Sequence, residues 1–202
     1  MGTLTLECGG YTIALEGSVA LQAGDAGETH APRETGEAGK ARRIALGEQQ
    51  YRPASVVRVA ASRDSEQLWE LTLTSTGSGT AVHASGAVCL GARVVVAIGP
   101  YAVALAAATG ELAWQRQCDP ATCFGVFRVP AGNGLITHGE QQIARLTADG
   151  DLAWTYQGKD IFTGPFEVVP EGILATDFKG DVYALDFEGN LKAMDKGKPF
   201  PH

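Results

Sequence analysis

Three stretches in the second half of the chain repeat one another in register, and such a repeat restricts the possible folds more than any other feature. The first runs over 94–105 and continues as Ala-Ala-Ala-Thr-Gly110-Glu-Leu-Ala-Trp114. The second runs over 135–146 and continues as Thr-Ala-Asp-Gly150-Asp-Leu-Ala-Trp154. The third runs over 173–185 and continues as Asp-Phe-Glu-Gly189-Asn-Leu-Lys-Ala193. The turn glycines at 110, 150 and 189 are therefore 40 and 39 residues apart. The tryptophans at 114 and 154 keep that spacing, and Ala193 or Met194 holds their place in the third copy.

Within each copy the apolar residues alternate with period two rather than 3.6, which is the pattern of strands. Asp149-Gly150 and Glu188-Gly189 read as hairpin turns, because glycine supplies the positive φ that joins two right-twisted strands. Turn signals every ~8–12 residues mark an antiparallel all-β domain. A unit of about 40 residues holds four such strands, one blade of a β-propeller. In the third copy the strands are expected at 166–169, 173–176, 182–185 and 191–194.

The string GDVYALDFEGNL, preceded by TDF, resembles the quinoprotein-type (PQQ-like) propeller repeat, as do GELAW and GDLAW. The resemblance spans about residues 92–195. It implies a WD40-like ring of four-stranded blades, with the tryptophan in each outer strand packed between neighbours. Quinone-dependent dehydrogenases of this type are much longer, and their cofactor-stacking residues, calcium ligands and adjacent paired cysteines have no counterpart here.

In the first half, 56–60 and the segment around Trp69 read as two strands with a turn over 62–67. Residues 86–90 or 80–84 open the next blade, and 3–8 with 11–15 form a hairpin across Gly9-Gly10. The stretch 22–53 is rich in Gly, Ala, Glu and Thr and is expected to be a long flexible surface loop; 196–202 is a C-terminal tail. Without that loop about 170 residues remain, enough for about four blades of one domain spanning 1–202. An unpaired end blade leaves a strand edge and an apolar face in water. Three arrangements answer this: a tight four-bladed ring in one chain, which we prefer; an open half-propeller capped by the N-terminal hairpin; and two chains sharing one ring.

Charge and chemistry narrow the function classes. The chain carries 16 Lys and Arg against 23 Asp and Glu, a net charge of −7, so it lacks the basic face a nucleic-acid binder needs. No apolar run reaches the ~18–20 residues of a membrane span, and the alternating start has no basic n-region or apolar h-region, so a cytoplasmic protein is expected. In such a reducing setting Cys8, Cys89, Cys118 and Cys123 are expected as free, mostly buried thiols. A turn at Asp119-Pro120 leaves a local Cys118–Cys123 disulfide open under oxidation. His30, His83, His138 and His202 lie too far apart for ligand spacing. Asp149, Asp151, Asp177, Asp181 and Asp186 sit where carboxylates either hold calcium or simply cap turns; without an EF-hand pattern we read them as turn residues. Gly77-Ser-Gly79-Thr lies between strands rather than at a helix start, and there is no nucleophile elbow or Walker loop.

The expectation is therefore a non-catalytic binding or scaffold module without cofactor or metal. Its partner is another protein or a second copy of itself. The expected contact residues lie on equivalent inter-strand turns of one rim: Tyr101, then Glu140, Gln141 and Gln142, then Phe178 and Lys179. Two alternatives stand beside it: an immunity or antitoxin-like inhibitor of a basic toxin, which the acidic charge would steer, and a small quinone- or metal-dependent enzyme.

Overall fold

The computed structural model describes residues 2–19, 42–47, 54–76, 79, 81–130, 132 and 134–197. The first sheet contains β1 (Gly2–Cys8), β2 (Tyr11–Val19), β3 (Arg42–Leu46), β4 (Ser55–Arg63) and β5 (Glu66–Ser75), in the order β1-β2-β4-β5-β3. Three four-stranded antiparallel sheets follow in simple sequence order. The second is β6 (Ala87–Leu90), β7 (Arg93–Ile98), β8 (Tyr101–Ala106) and β9 (Leu112–Gln117). The third is β10 (Cys123–Arg128), β11 (Gly134–Gly139), β12 (Ile143–Thr147) and β13 (Leu152–Tyr156). The fourth is β14 (Phe166–Val169), β15 (Gly172–Thr176), β16 (Val182–Leu185) and β17 (Leu191–Asp195). Each repeat is thus one blade, and the strands expected in the third copy match β14 to β17 to within a residue at each end. No helix among the described residues is long and apolar enough to cross a membrane.

One expectation for the first half needs correcting. Arg42–Leu46, inside the stretch read as a loop over 22–53, is a strand lying parallel to β5, with Arg42 opposite Leu71 and Leu46 opposite Ser75. Ile44 and Leu46 pack into the core, and the Arg42 guanidinium reaches the carbonyls of Thr109 and Gly110 at 2.7 and 2.9 Å. Five residues with two apolar anchors make too short a pattern to stand out beside so polar a stretch. The rest of that stretch, 22–41 and 48–53, and most of the expected tail, 198–202, lie outside the described residues.

Alternation explains how the sheets stack. In the second sheet Val94, Val96, Ile98, Val103 and Leu105 face the first sheet, while Val95, Ala97, Ala102 and Ala104 face the third. Both faces are buried, so this blade reads as an almost unbroken apolar run. A third core joins the third and fourth sheets through Ile136, Ile143, Phe162, Ile173, Ala175, Tyr183 and Leu185.

The tryptophans stitch these junctions. Trp69 Nε1 donates to the Ala107 carbonyl, Trp114 Nε1 to Ala148 and Trp154 Nε1 to Phe187, at 2.9, 3.0 and 2.9 Å. Each acceptor lies on the hairpin turn of the next blade, whose glycine is in the left-handed region and lies under the indole. Arginines reinforce the contact: Arg93 also donates to Ala148 and Arg116 to Gly150, at 2.9 and 2.8 Å, and Arg145 donates to Phe187. The repeated G-x-L-x-W string therefore encodes both halves of a clasp, the turn that receives one indole and the indole that reaches forward to the next turn.

Following the paired residues across each sheet shows where the stacking stops. The forward-facing rows read Leu6, Ile13, Ala61, Trp69 in the first sheet and Val88, Val95, Ala104, Trp114 in the second. The third reads Phe127, Ile136, Arg145, Trp154, and the fourth reads Glu167, Leu174, Ala184, Ala193. In the last row the indole and the guanidinium have both become alanine and the leading phenylalanine a glutamate. Thr12, Glu16, Arg58, Glu70 and Thr72 lie on the opposite face of the first sheet, where Arg58 and Glu70 pair at 3.0 Å. Among the described residues no core joins the fourth sheet to the first. The architecture is a partial propeller, an open arc among the described residues, with Leu174 the one large apolar side chain in the fourth sheet's outer row of Glu167, Leu174, Ala184 and Ala193.

One covalent link crosses a junction. Cys8 at the end of β1 and Cys89 in β6 are disulfide-bonded, with Cα atoms 5.4 Å apart, which corrects the expectation of four free thiols. Their sequence separation of 81 leaves no spacing signature; packing of the first two blades is what brings them together. Closing so long a loop removes chain entropy from the unfolded state worth about 4.5 kcal/mol. Cys118 and Cys123 are free and buried.

Candidate functional site

The expected contact residues do fall on equivalent turns: Tyr101 follows the β7–β8 turn, Glu140 to Gln142 form the β11–β12 turn, and Phe178 and Lys179 lie in the β15–β16 turn. The backbones of these turns are occupied in holding neighbouring blades. The Pro100 carbonyl accepts from the amides of Cys118 and Asp119, and the Gly99 carbonyl from the amide of Cys123, at 3.0, 3.3 and 2.7 Å. Glu140 donates its amide to Thr122 and accepts from Phe162 at 2.8 and 2.7 Å, and the Phe178 amide donates to Ile161 at 2.8 Å. Each turn is thereby fastened to the segment that crosses between blades.

Two buried aspartates, neither among the expected site residues, organise the rim. Asp119 Oδ1 accepts from the amides of Ala121 and Thr122 at 2.7 and 2.9 Å, and its Oδ2 from Gln141 and Gln142 at 2.8 and 3.0 Å. Asp177 Oδ1 accepts from the amides of Lys179 and Asp181 at 3.0 and 2.9 Å, and its Oδ2 from the Tyr183 hydroxyl at 2.8 Å. These carboxylates replace water with fixed donors, so their burial is compensated. Asp186 likewise accepts from the amides of Glu188 and Asn190 and pairs with Lys192, whose ammonium leads the effects that hold its carboxyl well below the usual carboxylate range. The acidic turns therefore act as caps. For Asp119 the available signal was the Asp-Pro step, which favours an Asx turn.

The side chains separate into three groups. Tyr101 is half-buried against the core between the first two sheets, away from the others. Gln142 spends its amide on the Cys118 carbonyl at 2.9 Å, and Glu140 is half-buried. Gln141, Phe178 and Lys179 remain outward, and all three border the segment Asp160-Ile161. Gln141 lines a shallow hollow of about 230 Å³ together with Gln157, Gly158, Lys159, Asp160 and Ile161. The Lys179 ammonium sits 3.0 Å from Asp160 Oδ2, and hydrogen bonding between them raises the lysine and lowers the aspartate. Phe178 is 65% exposed, the largest exposure among the big apolar side chains of the described residues, on a turn whose backbone is hydrogen-bonded to Ile161.

His138, at the end of β11, is buried and does not reach a ligand-like position. Its Nε2 lies 3.1 Å from the Phe162 carbonyl, so that nitrogen carries the hydrogen. The ring stacks on Phe166 with centroids 4.4 Å apart and meets Phe124 edge-on at 5.4 Å. Burial lowers its pKa to about 4, so the imidazole is neutral at physiological pH. Trp69, Trp114 and Trp154 are inter-blade clasps, as the repeat implied, and none lies on this rim.

The family described as outer membrane protein assembly factor BamB matches residues 53–198. Among solved structures the chain is similar to BamB from Moraxella catarrhalis, at 17% identity and a TM-score of 0.53, covering 76% of this chain and 52% of that one. It is also similar to the computationally designed Ika8 protein, at 11% identity and a TM-score of 0.51, covering 70% of this chain and 47% of that one. The chain spans about half the length of both structures, and at these identities the likeness is one of fold. A search of curated sequences found no significant match. The matched region takes in β4 to β17, with the last three four-stranded sheets complete, and the chain belongs to the BamB-like family of PQQ-repeat propellers.

Proposed function

We propose that the chain is a non-catalytic protein-binding module whose contact surface is the rim around Phe178, Gln141 and Lys179. The observation that carries this reading is Phe178, 65% exposed at the tip of a turn whose backbone is fastened by Asp177 and Ile161. A rigidly presented aromatic beside a lysine, a glutamine and a shallow hollow has the make-up of an interface anchor, because little side-chain freedom is lost when a partner covers it. Leaving such a residue in water has no folding benefit. The neighbouring charges are mixed, Lys159 and Lys179 with Asp160, so the surface suits a neutral or mixed partner patch better than a strongly basic one.

We also place the protein in an oxidising compartment rather than the cytoplasm expected from sequence. The support is the Cys8–Cys89 disulfide, since cytosolic thiols are kept reduced.

The test is comparative capture with quantitative mass spectrometry. Wild type, Phe178→Ser and Leu191→Ser are used as baits; Leu191 is also an exposed apolar side chain, at 45%, but lies on an outer strand. The reading expects a partner retained by wild type and Leu191→Ser and lost with Phe178→Ser, with all three melting alike. Equal capture by Phe178→Ser would refute it.

A further inference from the structure

The segment 118–123 carries the chain from the outer strand of the second blade, β9, to the innermost strand of the third, β10. Its first and last residues are the two free cysteines. Their amides bond to adjacent carbonyls: Cys118 to Pro100 at 3.0 Å, and Cys123 to Gly99 at 2.7 Å. One tight turn therefore holds the two cysteine backbones side by side. Asp119 closes the return between them through the amides of Ala121 and Thr122. Both sulfurs lie in one apolar core with Val126, Leu135 and Leu146, at 1% and 0% exposure. The Cys118 thiol beside it, together with burial, pushes the Cys123 thiol up. Otherwise each sulfur meets only a carbonyl, Pro100 for Cys118 and Gly125 for Cys123, both at 3.5 Å.

We propose that Cys118 and Cys123 are a second disulfide site, oxidised by low-molecular-weight disulfides such as glutathione disulfide, which locks the crossing between the second and third blades onto the Gly99-Pro100 turn. Two sulfurs in one core, at the ends of a closed return whose backbones are held on adjacent carbonyls, are placed for a disulfide. The chemistry is two thiol–disulfide exchanges. One cysteine thiolate attacks glutathione disulfide, forming a mixed disulfide and releasing one glutathione thiolate. The second cysteine thiolate then attacks the protein sulfur of that mixed disulfide and expels the other glutathione. One S–S bond breaks, one forms, and the two cysteine protons end on two glutathione thiols. Because the attacking species is the thiolate, the pair, buried and with the Cys123 thiol pushed up, reacts slowly in the folded chain and readily while the crossing is open or during folding.

The experiment refolds the reduced full-length chain in a glutathione/glutathione disulfide buffer, quenches with acid, and alkylates under denaturant before intact-mass and peptide analysis. The expected result is no alkylated cysteine and a Cys118–Cys123 cross-linked peptide beside the Cys8–Cys89 one. Repeating with Cys8→Ser/Cys89→Ser should still give loss of both remaining thiols. If that variant does not fold, peptide mapping of the wild type decides alone. Native protein treated with the same buffer should oxidise at this pair at least ten-fold more slowly than the refolding chain. A Cys8–Cys89 bond with both Cys118 and Cys123 alkylated overturns the proposal, and so does a bond from either of them to Cys8 or Cys89.

Discussion

The clasp between blades is best tested at a glycine rather than at its tryptophan. Gly150 has φ +82°, and a Cβ added there would lie 2.5 Å from Trp114 Cδ2, with two more ring atoms at 2.7 and 2.8 Å. Gly10 has φ +83°, but a Cβ there meets nothing within 4 Å. Alanine at either position incurs the same left-handed backbone cost, about 1–2 kcal/mol. Only at 150 must the indole also move, at about 1–3 kcal/mol of overpacking strain. That displacement breaks the Trp114–Ala148 hydrogen bond of 3.0 Å, worth about 1 kcal/mol. Gly150→Ala should therefore lose about 2–4 kcal/mol more than Gly10→Ala. In a domain of this size that is roughly 5–15 °C further off the melting temperature. The assay is thermal unfolding of both variants by circular dichroism, with the same pair repeated in a Trp114→Ala background. There the gap should close, because the atoms that clash are gone. Two variants that melt within about 2 °C of each other in the wild-type background, or a gap that survives removal of the indole, would refute the clasp.

Two further outcomes follow from buried groups. His138 has a pKa of about 4 in the folded chain, against an ordinary 6.5, so between these values the unfolded chain binds a proton that the folded chain refuses. Its contribution is complete above pH 6.5 and is lost as pH falls toward 4, at most about 3 kcal/mol; urea unfolding at pH 7 and pH 4 should show a smaller acid loss in His138→Gln than in wild type. For the disulfide between the first two blades, Cys8→Ser/Cys89→Ser should lose about 4.5 kcal/mol of chain-entropy stabilisation, read by the same titration without reductant, while wild type with reductant should approach the variant.

What could be read from the residues was whatever the repeat stated more than once. Blade boundaries and turn glycines recur in three copies at intervals of 40 and 39 residues, and the tryptophan in two of them, so each position is stated more than once. The blade that lacks a close copy was read less well. There β3 hides in a polar stretch, and the β4–β5 turn uses Asp64 and Ser65 at φ 50° and 68° instead of glycine. Contacts created by stacking were also out of reach: Cys8 meets Cys89 only because β1 and β6 adjoin. Of the six expected rim residues, their placement on equivalent turns was legible, since turns follow from local sequence. Which of them stay outward was not. Gln142 is taken by the Cys118 carbonyl and Tyr101 by a core, and both depend on neighbours far along the chain.

Why the arc stays open follows from the same clasp. A blade joins its successor by offering an indole and receiving support from a glycine turn. The fourth sheet presents Ala193 and Ala184 where the third presents Trp154 and Arg145, so it has no donor to offer. The first sheet offers no matching receptacle, because its β4–β5 connection is a two-residue turn at Asp64-Ser65, without the turn glycine that carries each indole elsewhere. A second copy docked end to end, blade upon blade, would thus lack both halves of the contact and would cover Glu167 on one side and Arg58 and Glu70 on the other. Desolvating Glu167 and the Arg58–Glu70 pair costs more than the exposed Leu174 could return. Light scattering across a dilution series should accordingly give the mass of one chain, 21.1 kDa, throughout. A dimer that persists on dilution and is broken by Leu174→Asp would show that the fourth sheet's face is an interface after all, despite the missing indole and guanidinium.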